Sequence, residues 1–496
     1  MQSRSWPSGR PRQRRPSKPV NETREAHEVP RPRLAERIAA PMRRLGVLAL
    51  LVALPGIALA APDGLRDPAD GLQVTTLENG LTVLTLEDHT TPVASLQVWV
   101  KVGSRDESFY TGIAHLFEHM MFKGSKHIGP EEHAQLVGSR GGRINAYTSR
   151  DVTVYFEDVT SESLPLVIDL EAERFANLDI NQATLDKERE VVLEERRMRT
   201  EDQPGGLAFE ALAATLWQSH PYRWPVIGWR ADVEGVTVEA CRAFFDTYYA
   251  ANNLVLVIVG DFDTEETLAQ VRKSFGSLRA APSIPRSPTK VVPARGERRA
   301  DVHFDVRAPL LYAGWHAPKT GHADAEALDI ASMILSAGRS SRLYQKLVYR
   351  DQIALEAAGG FMELHDAGLF YAVAVARPGA DLDAVEAAFF AELEAVKRDG
   401  VTDEEVAKAK RQLEVSLLSD LGTAHSLAGR IGGEWVAFGR VRSLEERLAA
   451  IDAIQPVDVQ RVLQTWLVDD QRTVIHVDVP PPAPAETPAA ANAEEE

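Results

Sequence analysis

Residues 95–124 read SLQVWVKVGSRDESFYTGIAHLFEHMMFKG, and the change of period inside them decides the fold class. Leu96, Val98, Val100 and Val102 alternate with Ser95, Gln97, Trp99 and Lys101, the two-residue period of a strand with one buried face. Gly103 and Ser104 break that strand. From about Thr111 the apolar residues Ile113, Leu116, Phe117, Met120 and Met121 follow a helical period, and Gly124 ends it.

The helix carries His115-Leu116-Phe117-Glu118-His119. Positions i and i+4 share one helical face and i+3 lies beside them, so two imidazoles and one carboxylate point the same way. Neutral imidazoles suit a borderline-soft cation such as Zn²⁺, and a carboxylate beside the metal can take a proton from water. Two solvated histidines on an amphipathic helix would give the same five residues, but these border an apolar face. Catalytic zinc usually takes a third protein ligand. The acidic helix expected over residues 184–197, TLDKEREVVLEERR, is the best source. Glu188 and Glu195 share a face two turns apart, while Glu190 and Glu194 point elsewhere; a solvated helix face is the competing reading.

These residues resemble the pitrilysin family of zinc peptidases, the inverzincins, whose defining element is the inverted His-x-x-Glu-His. The likeness extends to Gly103-Ser104-Arg105-Asp106-Glu107, Phe122-Lys123-Gly124, Asn145-Ala146-Tyr147-Thr148, Thr153-Val154-Tyr155, Glu188 with Glu195, His220-Pro221-Tyr222 and residues 249–261. It covers roughly residues 72–479. The resemblance implies that His115, His119 and Glu195 bind one Zn²⁺, that Glu118 is the general base, and that Glu188 supports the ligands from behind. It also implies that Asn145, Ala146, Tyr147 and Thr148 lie on or beside an edge strand to which a peptide adds as an extra strand. A plain hairpin edge is the alternative for those four.

The 496 residues are too many for one core and predict at least two domains. The single Cys241 excludes an internal disulfide and a cysteine-rich zinc cluster, and Phe244 and Phe245 on the same helical stretch mark it as a buried, inert thiol. Residues 42–61 have the form of a secretory signal: Arg43 and Arg44, an apolar run, then Ala58-Leu59-Ala60 as the cleavage site. A periplasmic or secreted protein is expected, with a retained anchor as the alternative. Residues 1–41 are Arg- and Pro-rich without apolar period, and Met42 makes a better start. Without the first 60 residues, which hold 12 Lys/Arg and 4 Asp/Glu, the formal charge goes from −17 to −25, which argues against nucleic acid as a partner. Residues 480–496, mostly Pro, Ala and Glu, are expected to be disordered.

Residues 281–299, rich in proline and basic side chains, read as a linker between a zinc-binding domain at 70–280 and a homologous domain at 300–479. The first opens with a hairpin at Asn79-Gly80 and closes on a strand at 253–260; the second opens on a strand at 302–315 and closes at 472–479. The acidic helix at Thr184 has a counterpart beginning at Thr402. The expected architecture is α+β: two homologous sheet-plus-helices domains facing each other across a peptide-binding chamber. The second domain lacks His-x-x-Glu-His, its corresponding helices running through 330–337 and 341–349.

Self-sufficient members of the family carry an Arg and a Tyr seven positions apart in the second half, which bind substrate and help stabilise the tetrahedral intermediate. Here those positions hold Val348 and Leu355, neither of which can donate a hydrogen bond. The expectation is a zinc-dependent endopeptidase acting on peptides or unfolded polypeptides, similar to the zinc subunit of a bacterial processing-peptidase-like enzyme. A homologous zinc-free subunit would supply the Arg/Tyr pair. The competing class is a non-catalytic peptide-binding or assembly subunit. Phosphatase and deaminase chemistry are disfavoured, since there is neither a phosphate-cradling Gly loop nor a Cys-x-x-Cys.

Overall fold

A computed structural model describes residues 67–287, 290–292 and 294–479. The expected signal segment, the residues before it and the tail at 480–496 lie outside the described residues. No described helix is long and apolar enough to cross a membrane.

The first sheet contains β1 (Gln73–Thr76), β2 (Thr82–Glu87), β3 (Val93–Val100), β4 (Arg143–Thr148), β5 (Thr153–Thr160) and β6 (Leu254–Gly260), ordered β1-β2-β6-β3-β5-β4. The second contains β7 (Arg298–His303), β8 (Leu310–Ala317), β9 (Ala354–Met362), β10 (Gly368–Ala376) and β11 (Thr473–Asp478), ordered β7-β11-β8-β10-β9. In each sheet one parallel pair, β2 with β6 or β7 with β11, is followed by antiparallel pairs out to a hairpin edge, β4 or β9. The second sheet thus repeats the first without a counterpart of β1.

The helices repeat as well. In the first half α1 (Ile113–Met120) and α2 (Glu132–Gly138) lie between β3 and β4, α3 (Leu164–Asn177), α4 (Gln182–Arg196), α5 (Pro204–Leu216), α6 (Arg230–Gly235) and α7 (Val238–Tyr248) between β5 and β6, and α8 (Thr264–Phe275) follows β6. The second set is α9 (Ala325–Ser336), α10 (Leu382–Asp399), α11 (Asp403–Ser419), α12 (Ala424–Phe438), α13 (Leu444–Ala453) and α14 (Pro456–Trp466). The N-cap of α4 is Asn181, which accepts from Thr184 N, and that of α11 is Thr402, in a capping box with Glu405. Thr402 therefore matches Asn181 rather than Thr184. With the caps aligned, Glu188 falls on Ala409 and Glu195 on Ser416, so the second half has lost both carboxylates.

Two expectations need correction. The strand expected at 302–315 is two strands separated by residues 304–309, and β7 begins at Arg298, inside the expected linker. Its basic residues disguised it: β7 is a sheet edge whose exposed positions carry charge, with Arg299 ion-paired to Glu386. Likewise β3 does not have one wet face. Ser95, Gln97 and Trp99 are as buried as Leu96, Val98 and Val100.

The cause is an exchange of helices. Leu96, Val98 and Val100 share a core with Leu116, Phe117 and Met120 of α1. Trp99 joins Leu84, Val255 and Val257 beneath Leu427, Ala428 and Ile431 of α12, which comes from the second half. Gln97 fastens that crossing by accepting from Trp99 Nε1 at 3.1 Å and donating to His425 O at 3.0 Å. Reciprocally, Ala208 and Leu212 of α5 pack with Leu310, Ile475 and Val477 on the second sheet. Both crossings use glycine for close approach. A Cβ on Gly432 would stand 2.3 Å from the Trp99 indole, and one on Gly314 would stand 3.0 Å from Leu212. Each half builds one core from its own residues, but the opposite face of each sheet is sealed by a helix from the other half, so neither half buries both faces of its sheet alone.

Candidate active site

The start of α1 is held by a residue that its own periodicity does not announce. Gly112, at φ +85°, turns the chain into the helix, and a Cβ there would meet Ile227 O at 2.5 Å. The buried Glu107 carboxylate then accepts from Gly112 N and Ala114 N, both at 3.0 Å, satisfying helix-terminal donors. Burial pushes its carboxyl well above the usual range, against the pull of those two N–H groups.

At the far end of α4, Arg196 donates to Gly228 O at 2.8 Å and to Glu210. It thereby ties the helix bearing Glu188 and Glu195 to the loop that Gly112 crosses. The chain continues as a π-helical turn at Arg197–Glu201.

The packed pair α1 and α4 brings His115, His119 and Glu195 together. Glu195 Oε2 is 3.4 Å from His119 Nε2 and 3.8 Å from His115 Nε2. Tetrahedral zinc with bonds of about 2.0–2.2 Å sets neighbouring donors roughly 3.3–3.6 Å apart. The separation of Glu195 from His119 falls in that range and that of Glu195 from His115 is slightly longer, so a small closure would let the three hold one zinc ion with a fourth position open. Glu188 does not join them; its Oε2 faces His119 Nδ1 at 3.7 Å, and its Oε1 faces Lys123 Nζ at 3.3 Å. Arg199 takes the other oxygen of Glu195, Oε1, at 2.5 Å, so a single oxygen is turned toward the histidines.

Electrostatics separate the two imidazoles. Burial and the neighbouring His119 pull His115 down to about 4. Burial also disfavours charge on His119, but hydrogen bonds to Glu188 and Glu195 outweigh it and raise that imidazole to about 9. Glu118 is buried beside them, and desolvation lifts its carboxyl above the ordinary range, a shift in the direction general-base work at neutral pH requires.

Of the four residues expected on the substrate strand, all lie on β4, which among the described residues pairs only with β5 and has no strand on its other edge. All four line one cleft of about 780 Å³ with His115, His119, Glu195 and Glu118. Glu190 and Glu194 line its rim rather than pointing away from it. One side chain has a different role from the one expected: Thr148 Oγ1 donates to Glu118 Oε2 at 2.6 Å. Tyr147 packs edge-on against Trp99 and also lines a second cavity of about 590 Å³ under α12, where Asp329 and Glu363 face each other.

A second group with metal-binding residue types, His133, Glu157 and Glu171, lies buried behind β5. It contains its own cation, because Arg174 occupies both Glu171 oxygens while Glu157 and His133 share a 2.5 Å contact. It is an ion-pair and hydrogen-bond network within the core. In the second half, Val348 lies on a π-helical segment, Tyr344–Arg350, and Leu355 on the edge strand β9 with half its surface exposed. Cys241 is buried on α7 with its thiol pushed up to about 12.

Comparison with known proteins bears on the family and the fold. Residues 82–229 match the family model described as Insulinase (Peptidase family M16), and residues 235–413 match that described as Peptidase M16 inactive domain. The chain is 30% identical over 438 residues to the zinc protease PqqE of Helicobacter pylori, covering 87% of this chain and 98% of that one. It is 29% identical to a probable mitochondrial-processing peptidase subunit beta of Arabidopsis thaliana, over 80% of this chain and 76% of the relative. The crystal structure of a protease from Helicobacter pylori superposes with a TM-score of 0.79 at 30% identity, covering 82% of this chain and 99% of that one. A peptidase M16 inactive domain from Pseudomonas fluorescens, at 20% identity and a TM-score of 0.76, shares the fold.

A duplicated sheet-and-helix protein with an inverted His-x-x-Glu-His beside a free strand edge is the class these features define. The chain belongs to peptidase family M16, the pitrilysin family.

Proposed function

We propose that this protein is a zinc-dependent endopeptidase acting on peptides or unfolded polypeptides, as the metal-bearing subunit of a two-chain enzyme. The observation that carries the reading is the convergence of His115, His119 and Glu195 at donor spacings that suit zinc, with Glu118 beside them. The zinc protease names of its relatives support it.

His115, His119 and Glu195 would hold the ion, while Glu188 and Arg199 face His119 and Glu195 from behind and would fix them. When bound, zinc polarises the scissile carbonyl and makes water a better acid. The peptide adds to the free edge of β4 as an antiparallel or parallel strand, its backbone pairing with residues 143–148. Glu118 takes the proton of the attacking water and returns it to the leaving amine. Water thus adds across one amide bond, with no covalent enzyme intermediate.

The two-chain assignment rests on Val348 and Leu355, which offer no donor where self-sufficient relatives of the family place one. It is supported by a relative named as a subunit, the mitochondrial-processing peptidase beta of Arabidopsis. Residues 42–61 support a periplasmic or secreted location. The test is metal analysis with a quenched-peptide assay on the purified chain, alone and with a co-purifying chain of similar size. One zinc per chain and turnover lost in Glu118→Gln are expected. Full activity of the lone chain would remove the partner, and zinc without turnover in the paired form would favour a binding subunit.

A further inference from the structure

β4 alternates its side chains between two environments. Ile144 and Ala146 pack against the core that contains α1, whereas Tyr147 turns to Trp99 on the opposite face of the sheet. The two-residue period therefore brings Thr148 round to α1, and its hydroxyl lies 2.6 Å from Glu118 Oε2. The other hydroxyl within reach, Thr153 Oγ1, is 3.4 Å away and donates its own proton to Val102 O at 3.0 Å. The Thr148 proton is thus committed to Glu118. Among the described residues no other side chain hydrogen-bonds to that carboxylate, and Oε1 has no such partner.

We propose that Thr148 is the positioning residue of the general base: its hydroxyl fixes the Glu118 carboxylate from the last residue of the strand that takes up the peptide. This rests on the reading of Glu118 as the base. A side chain spent on Glu118 is not free for the peptide, so the contribution of Thr148 to substrate contact is through its backbone. The consequence is mechanical. A displacement of β4 on strand addition moves the anchor of the base, so peptide docking and base orientation form one unit.

The test compares Thr148→Val, which keeps the β-branch and removes the hydroxyl, with Thr148→Ser, which keeps the hydroxyl. In the active preparation Thr148→Val should lower kcat about tenfold to hundredfold with KM changed less than about twofold, zinc content should stay at one per chain, and Thr148→Ser should restore most of the loss. A readout independent of turnover is the thermal stability of the metal-free chain. Thr148→Val and Glu118→Leu together should lower Tm by less than the sum of the single changes, because they remove the same bond. Unchanged kcat in Thr148→Val, a raised KM at constant kcat, or strictly additive Tm losses would overturn the proposal. Wild-type turnover in Glu118→Gln would instead overturn the base assignment itself. If the lone chain shows no turnover, the stability cycle decides.

Discussion

Glu195 Oε2 stands 3.4 Å from His119 Nε2, although 76 positions separate the two residues in the chain. Two helices, one capped by Glu107 and the other anchored by Arg196, set that distance. If these residues bind zinc as proposed, the metal becomes an added source of stability. At a hundredfold excess over Kd, zinc should stabilise the wild-type chain by about 2.7 kcal/mol, seen as a Tm that falls on chelation and returns on zinc addition. His115→Ala and Glu195→Gln should show no such response; an equal zinc-dependent rise in Glu195→Gln would remove that residue from the ligand set.

Glu107 touches no ligand, yet both its oxygens serve the first turn of α1. Glu107→Ala leaves two buried N–H groups unpaired, at a cost of about 2–4 kcal/mol. Calorimetry should find that loss together with weaker zinc binding. Wild-type zinc affinity in this variant would separate the cap from the site.

Gly432 lies against the Trp99 indole where α12 crosses the first sheet. Gly432→Ala forces the helix outward and should cost about 1–3 kcal/mol by overpacking. Since α5 and α12 are exchanged between halves, unfolding should remain one transition at lower urea concentration. A second, separate transition would show that the halves unfold independently.

The same exchange forecasts the behaviour of fragments. A piece ending near residue 280 lacks α12 and exposes Leu84, Trp99, Val255 and Val257. Expressed alone it should bind a hydrophobic dye and aggregate, and co-expression with residues 281–496 should restore a soluble complex. A soluble, monomeric first half with native circular dichroism would contradict the helix exchange.

Asp329 faces Glu363 and Glu326 in the second cavity, and burial followed by these neighbours raises its carboxyl from 3.8 to about 7. For an acid whose folded pKa lies above its unfolded value, the unfolded chain binds fewer protons between pH 3.8 and about 7, so stability falls as pH rises through that window. Asp329→Asn removes the penalty. Its stability relative to wild type should be equal near pH 3.8 and greater by about 2–4 kcal/mol at pH 8, measured by urea unfolding at each pH. A difference that does not grow with pH would show that Arg447, the neighbouring cation that pulls this carboxyl down, outweighs burial and the two glutamates.

Much of the site was legible because its geometry is local or periodic. His115, Glu118 and His119 are fixed relative to one another by a single helical turn, and Glu188 and Glu195 by two turns of another. The placement of Asn145 to Thr148 on a sheet edge was what the family resemblance implied, and β4 is such an edge. Thr148 was legible as a position but not as a partner, since no pattern along β4 says what stands opposite its hydroxyl. Glu107 and Arg196 were hidden for the same reason. A charged residue five positions before a helix, or one beside a ligand, is ordinary on any surface.

The sequence by itself determined what repeats within a few residues: strand and helix periods and the donor types carried on each helix. It also carried the duplication, because both halves spell the same order of elements. Only the tertiary structure decided which surfaces meet. Whether Trp99 is wet or buried depends on α12, more than 300 residues away, and the closing of His115, His119 and Glu195 to zinc spacing depends on how α4 lies against α1. Periodicity fixes the direction of a side chain within its element, whereas the partner it finds is set by packing between elements.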